Sequence, residues 1–243
     1  MEGPSLVILK EEVTSFKGKK ILKASGTTTR VDPAELVGKT IIDFKSWGKH
    51  FLIVFKDFSL RLHFLMFGSY RINEQKDAKP RLHFEVSKGE LNFYTCSVIK
   101  LEKDLDEIYD WSADVMSDEW NPAKARRKIK RNAAASVSDV LLDQNIFAGV
   151  GNIIKNEVLF RIKVHPETLI QDLPPRKLTA LISEARNYSF DFYEWKKMYQ
   201  LKKHWLVYTK RKCPECKGIV VKKYTGVTKR RSFICENCQL RYG

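Results

Sequence analysis

Cys213-Pro214-Glu215-Cys216 and Cys235-Glu236-Asn237-Cys238 lie near the end of the chain as two Cys-x2-Cys pairs, eighteen residues apart. Two such pairs supply four thiolates for one tetrahedral zinc ion. Each pair grips the ion from a tight turn, and the segment between folds back as a hairpin whose strands suit Val220, Tyr224, Phe233 and Ile234. A structural zinc stands in for a core that so short a piece cannot build. Between the pairs lie Lys217, Lys222, Lys223, Lys229, Arg230 and Arg231, with no acidic residue. A hairpin tip of that composition is suited to hold phosphates.

The rest of the 243 residues supports the same partner. Forty-four basic residues against 29 acidic ones leave a formal charge of +15. That imbalance points to a polyanion, with nucleic acid first. The 43% hydrophobic content is that of a folded chain with room for two or three domains. There is no apolar run long enough to span a membrane, and Met1-Glu2-Gly3-Pro4 lacks a signal-peptide pattern. A cytoplasmic, nucleoid-associated monomer is the expectation. Four of the five cysteines serve the zinc motif, and Cys96 is expected to be an inert buried thiol.

In chain order, Ser5–Ser15 reads as a helix. Strands follow over 40–44, 51–55, 59–64, 81–86 and 90–94, with short turns at Lys56-Asp57 and Lys88-Gly89 that favour antiparallel pairing. From Pro122 the text turns helical. Lys124–Arg131 carries six basic residues in eight, which suits either a solvated face or a phosphate contact. Further helices are expected over 137–142, 151–160 and 175–199. Within Leu141–Phe160, Gly149-Val150-Gly151-Asn152 ends one helix and starts another. Helix N-termini expose amides that favour phosphate, and Asn152 there suits either a helix cap or a phosphate donor. The expected architecture is α+β: an antiparallel β-sandwich domain (1–121), a helical domain (122–200) and the zinc hairpin (201–243).

Glu2-Gly3-Pro4, Gly48-Lys49 before a strand, His63-Phe64-Leu65-Met66-Phe67-Gly68, the Gly-x-Gly-Asn break and the four-cysteine hairpin ending Cys238-Gln239 occur in that order. Together they resemble the formamidopyrimidine-DNA glycosylase and endonuclease VIII family over nearly the whole chain. Leu141–Phe160 is similar to that family's helix-two-turns-helix, and Val207–Gln239 to its zinc finger. The resemblance implies excision of oxidised bases from double-stranded DNA, followed by lyase cleavage at the abasic site. It implies Glu2 as the carboxylic acid that protonates the sugar ring oxygen or shuttles protons, Lys49 as a supporting cation on phosphate, and Asn152 and Arg230 as clamps on the phosphates flanking the lesion. The segment from His63 would supply a wedge, with Leu65, Met66 and Phe67 filling the gap left by an everted nucleotide; ordinary core at a strand end is the competing reading. Cys213, Cys216, Cys235 and Cys238 would hold the zinc.

One position departs from the family pattern. The family's usual nucleophile is an N-terminal proline, whereas here Glu2 directly follows Met1. A residue as large as glutamate in second place disfavours methionine removal, so the α-amine of Met1 is the expected nucleophile. An α-amine is free in roughly a tenth of molecules at pH 7, against about four parts in ten thousand for an ordinary lysine. Ser5 also stands where the family usually has glutamate. No arginine occupies Leu91–Ser97, where members acting on oxidised purines carry one, so oxidised pyrimidines are the expected substrates. A non-cleaving binder of abasic or damaged DNA on the same fold is the alternative, and a zinc-dependent DNA-binding regulator a more distant one.

Overall fold

The computed structural model describes Met1–Gly243, which form two compact units: Met1 with Ser5–Asp110, and Glu2–Pro4 with Trp111–Gly243. Helix α1 (Gly3–Glu12) is followed by strands β1 (Ile21–Ser25), β2 (Asp43–Trp47), β3 (His50–Val54), β4 (Ser59–Ile72), β5 (Leu82–Val86) and β6 (Gly89–Leu101), and by a short helix α2 (Leu105–Ile108).

In the first unit the six strands make one antiparallel sheet in the order β1-β5-β6-β4-β3-β2. The long strands β4 and β6 join its two halves, and the aromatic core shows that those halves face each other. Phe51 of β3 and Phe84 of β5 each bring a ring within 6.0 Å of Phe93 on β6, and Phe64 lies 6.3 Å away. Leu6, Leu9 and Val13 of α1 close this core. Truncating the fully buried Phe93 to alanine would cost about 3–5 kcal/mol.

β4 is much longer than the six-residue strand expected, because it continues through the His63–Gly68 segment as a bulge. Phe64 pairs with Cys96 and Ser69 with Tyr94, so four residues on β4 face Thr95 alone. Positive φ at Phe67 (66°) and Thr95 (50°) absorbs the mismatch. Gly68 is required there, since a Cβ would sit 2.7 Å from the Thr95 carbonyl oxygen. The second strand begins at Asp43, not Thr40, because Thr40 pairs instead with Lys20. β1 was not expected: a five-residue edge strand with Lys23 at its centre carries little pattern.

In the second unit, α3 (Pro122–Arg131), α4 (Val137–Leu142), α5 (Asn152–Arg161) and α6 (Pro175–Lys197) precede a hairpin of β7 (Val221–Thr225) and β8 (Arg230–Ile234). Asn121 caps α3 by accepting from the Lys124 amide at 2.9 Å, with Pro122 in the first turn. Ser136 caps α4 through the Asp139 amide. The segment 111–120 packs with these helices, since Val115 lies in their core and Met116 and Trp120 lean on it. The basic run divides by face: Ala125 and Ile129 are buried, Arg126 bonds Thr179 of α6, Lys128 bonds the Asn145 carbonyl, and Arg127, Lys130 and Arg131 are exposed. No helix is long and apolar enough to cross a membrane.

Candidate functional site

In the first unit the β2–β3 turn, with Gly48 at φ 53°, carries Lys49. Across the β3–β4 ladder His50 opposes His63, with their rings 5.4 Å apart, edge to face. His63 is hydrogen-bonded to the Lys49 main chain, and its pKa lies below the ordinary histidine value. Burial is the main cause, and the positive N-terminal amine and Lys49 side chain add to it. Met1, Lys49 and His63 are thus brought together, with the imidazole kept neutral at pH 7 beside two amines. His50, which the sequence did not single out, is pushed down to about 4 by burial, Arg61 and His63. Trp47 and Tyr109 pack around it, and the Trp47 indole donates to the Asp110 carbonyl at 3.0 Å.

His63 therefore stays inside the ladder, while the three residues at the bulge turn outward. Leu65, Met66 and Phe67 are 50%, 72% and 90% exposed. Three consecutive apolar side chains displayed to solvent are not core, and a displayed apolar group of this kind calls for a partner.

In the second unit Glu2 has a defined place. Its carboxylate accepts from the Ile153 amide at 2.7 Å and from the Gly151 and Ile154 amides at 3.2 Å each, while the Gly3 amide donates to the Gly149 carbonyl at 2.9 Å. A carboxylate 149 residues away in sequence thus caps α5, whose own N-cap residue, Gly151, has no side chain to do so. The amides expected to face phosphate are taken by this anion. A Cβ at Gly151 would lie 2.4 Å from the Glu2 carboxyl carbon, so a larger residue there would push this cap out of place. Asn152, the first residue of α5, consequently does not cap. Its side chain is hydrogen-bonded to Tyr208, and its buried Oδ1 has no partner.

The next polar residues of α5 fix the hairpin. Lys155 is wholly buried, donating to Ser232 Oγ at 2.8 Å and the Arg231 carbonyl at 3.2 Å. Burial lowers its pKa to about 8; Asp139 and Glu2 oppose the shift, and Arg230 adds to it. Asn156 donates to the Arg231 carbonyl and accepts from the Phe233 amide at 2.7 Å. Glu157 accepts from the Leu206, Val207 and Tyr208 amides at 2.8, 3.0 and 2.8 Å, though burial still raises its pKa. Asp139 of α4 holds the hairpin tip through the Val227 and Thr228 amides; burial raises its pKa, and bonds from Ser136, Val227 and Thr228 together bring it below the ordinary range. Arg230, at the start of β8, is exposed on this braced frame.

The hairpin's own core is only Phe160, Val207, Val220 and Phe233 with Cys213 and Cys235. Sγ atoms of Cys213, Cys216, Cys235 and Cys238 all lie within 4.8 Å of one another, with Cys213–Cys238 at 3.8 Å and Cys216–Cys235 at 3.4 Å. Thiolates about 2.3 Å from a common tetrahedral ion lie a little under 4 Å apart, so the donor set fits one metal ion such as zinc. Gln239 supports the second pair, accepting from the Cys235 amide and donating to the Val164 carbonyl.

Two family models match the chain: the formamidopyrimidine-DNA glycosylase N-terminal domain over residues 4–96 and the H2TH domain of the same glycosylases over 112–188. Human endonuclease 8-like 3 is 31% identical over 209 residues, covering 79% of this chain. The chain spans about a third of that relative, 33% of its length. The crystal structure of a viral DNA glycosylase superposes with a TM-score of 0.86 at 21% identity, over 99% of this chain and 100% of that one. That of Lactococcus lactis formamidopyrimidine-DNA glycosylase, non-covalently bound to DNA containing an abasic site, gives 0.85 at 23% identity, again over 99% and 100%.

Proposed function

Because the chain belongs to the formamidopyrimidine-DNA glycosylase and endonuclease VIII family, we propose that it is a base-excision-repair DNA glycosylase with abasic-site lyase activity, acting as a cytoplasmic monomer on damaged double-stranded DNA. The observation that carries this reading is the Glu2 carboxylate, held by three amides at the start of α5 and one residue along from the amine of Met1. A fixed carboxyl group beside a terminal amine is the pair that imine chemistry at a sugar needs.

The damaged nucleotide leaves the stack, and Leu65, Met66 and Phe67 fill the gap. Asn152 and Arg230 hold its flanking phosphates, and Lys49 adds a positive charge. The α-amine of Met1 attacks C1′ as the bond from C1′ to the base breaks, and the base departs with the electron pair. Glu2 takes the proton that the amine releases on attack and passes it to the ring oxygen, and the ring opens to an imine between C1′ and the Met1 nitrogen. Loss of a C2′ proton then expels the 3′ phosphate by β-elimination, and water hydrolyses the imine to free the amine. Cys213, Cys216, Cys235 and Cys238 would hold a zinc ion with no open position, so its contribution would be to cross-link the hairpin and not to the chemistry.

Oxidised pyrimidines and abasic sites are the favoured substrates. The segment Leu91–Ser97, which holds Thr95 opposite the bulge, carries no arginine of its own for the base across from the lesion. Excision assays on matched duplexes test this choice: thymine glycol should be released faster than 8-oxoguanine opposite cytosine, and Glu2→Gln should abolish base release. Faster release of 8-oxoguanine, or full activity of Glu2→Gln, would overturn the assignment.

A further inference from the structure

Behind the bulge lies a cavity of about 510 Å³ in the first unit, lined by Arg30, Lys79, Arg81, Thr27, Thr95 and, on the side of the exposed apolar group, Leu65. No carboxylate lines it. A second cavity of about 410 Å³ provides the contrast, because its Lys39 and Lys100 are paired with Asp57 and Glu35 at 3.7 and 3.6 Å. Three cations without a counter-charge around one concave site mark it for an anion.

Arg81 is held rigidly in that wall. Its Nη1 donates to the Thr27 carbonyl at 2.7 Å, the Thr28 amide returns a bond to the Arg81 carbonyl at 3.0 Å, and the Thr27 amide bonds the Pro80 carbonyl at 3.1 Å. Gly26, at φ 151°, permits this approach, since a Cβ there would meet the Arg81 carbonyl oxygen at 2.5 Å. A second nitrogen of the same guanidinium, Arg81 Nε, is buried and has no partner. A buried N–H without an acceptor is the kind of group that a bound anion satisfies. Cys96, also in the wall, is pushed up to about 12 by burial and stays a neutral thiol, so recognition there is by charge and not by a covalent bond.

We propose that this cavity binds a sugar-phosphate unit of the strand complementary to the damaged one. The proposal rests on the glycosylase reading, in which Leu65, Met66 and Phe67 enter the base stack and Asn152 and Arg230 take the phosphates of the damaged strand. A cation-lined cavity sharing Leu65 with that wedge then meets the backbone of the other strand. Its volume suits a sugar with its phosphate better than a bare ion. The site gives the protein a preference for duplex over single-stranded lesions without any base-specific contact.

Arg30 and Lys79 are exposed, so the double variant Arg30→Ala/Lys79→Ala should fold normally. Its affinity would be measured by fluorescence anisotropy on an abasic-analogue duplex and on the same damaged strand alone, across a salt series. Duplex affinity should fall about tenfold, with a salt slope lower by about two, while single-strand affinity changes by less than about twofold. The variant Lys39→Ala/Lys100→Ala, which removes two charges from the other cavity, should leave duplex affinity within about twofold. Equal losses on duplex and single strand, no loss on duplex, or an equal loss in the control would overturn the proposal. Failure of the wild-type protein to bind either DNA would instead refute the glycosylase reading beneath it.

Discussion

Replacing Lys155 by methionine should make the protein more stable at neutral pH and weaken its hold on DNA. The lysine is wholly buried, with its pKa lowered from 10.5 to about 8. A lysine with a depressed folded-state pKa is charged in both states below pH 8, and folding then bears the cost of burying the charge. Between pH 8 and 10.5 the unfolded chain holds more protons, so wild-type stability rises with pH across that window. The shift corresponds to about 3 kcal/mol. Methionine of similar length removes that cost and loses hydrogen bonds worth about 1 kcal/mol. It orphans nothing, since the Arg231 carbonyl keeps Asn156 and Ser232 keeps Thr225 at 2.6 Å. Lys155→Met should therefore be about 2 kcal/mol more stable than wild type at pH 7 and about 1 kcal/mol less stable at pH 10.5. Urea unfolding followed by far-ultraviolet circular dichroism at the two pH values reads both numbers. A variant less stable at pH 7 would show instead that the ammonium's hydrogen bonds outweigh its desolvation. Duplex affinity should fall several-fold even as stability rises, because the lysine ties α5 to the strand bearing Arg230.

His50, lowered to about 4, contributes stability that is complete above the unfolded value near 6.5 and is lost as pH falls toward 4. Allowing for its partial exposure, that loss is about 2 kcal/mol; thermal unfolding at pH 7 and 4.5 should show a smaller gap in His50→Gln, and an equal gap would count against it. Arg230→Ala should weaken binding to all lesion duplexes alike and lower the salt slope by about one, whereas an effect confined to one lesion would contradict a phosphate role. Stripping the metal with a chelator should abolish duplex binding, and retention of full affinity by metal-free protein would show that the hairpin does not hold DNA.

Much of this was legible in the text because it is local. The spacing of Cys213, Cys216, Cys235 and Cys238 and the Gly149-Val150-Gly151-Asn152 break are short patterns whose geometry follows from the residues themselves. The extension of β4 past Phe64 was not legible, because it depends on Thr95 in another strand accepting a positive φ opposite four bulged residues. Glu2 as the cap of α5 is a contact across 151 residues that no periodicity encodes. Lys155, Asn156 and Glu157 are residue types usually turned to solvent, yet all three are buried, each matched to backbone groups of a distant segment. The one local hint was that polar residues fall on several faces of α5 among Ile154, Val158 and Leu159, leaving no side free for solvent.

Borohydride trapping on abasic-site DNA decides whether the α-amine of Met1 is the nucleophile. Protein whose intact mass places Met1 at its terminus would be reduced in the presence of the duplex, digested and mapped by mass spectrometry. A covalent adduct on the Met1 amine is expected, retained in Lys49→Ala and absent when an uncleavable N-terminal extension blocks the amine while binding persists. An adduct on Lys49, or one that survives the extension, would make a lysine the nucleophile. No adduct with either group would mean that the protein binds abasic DNA without cleaving it.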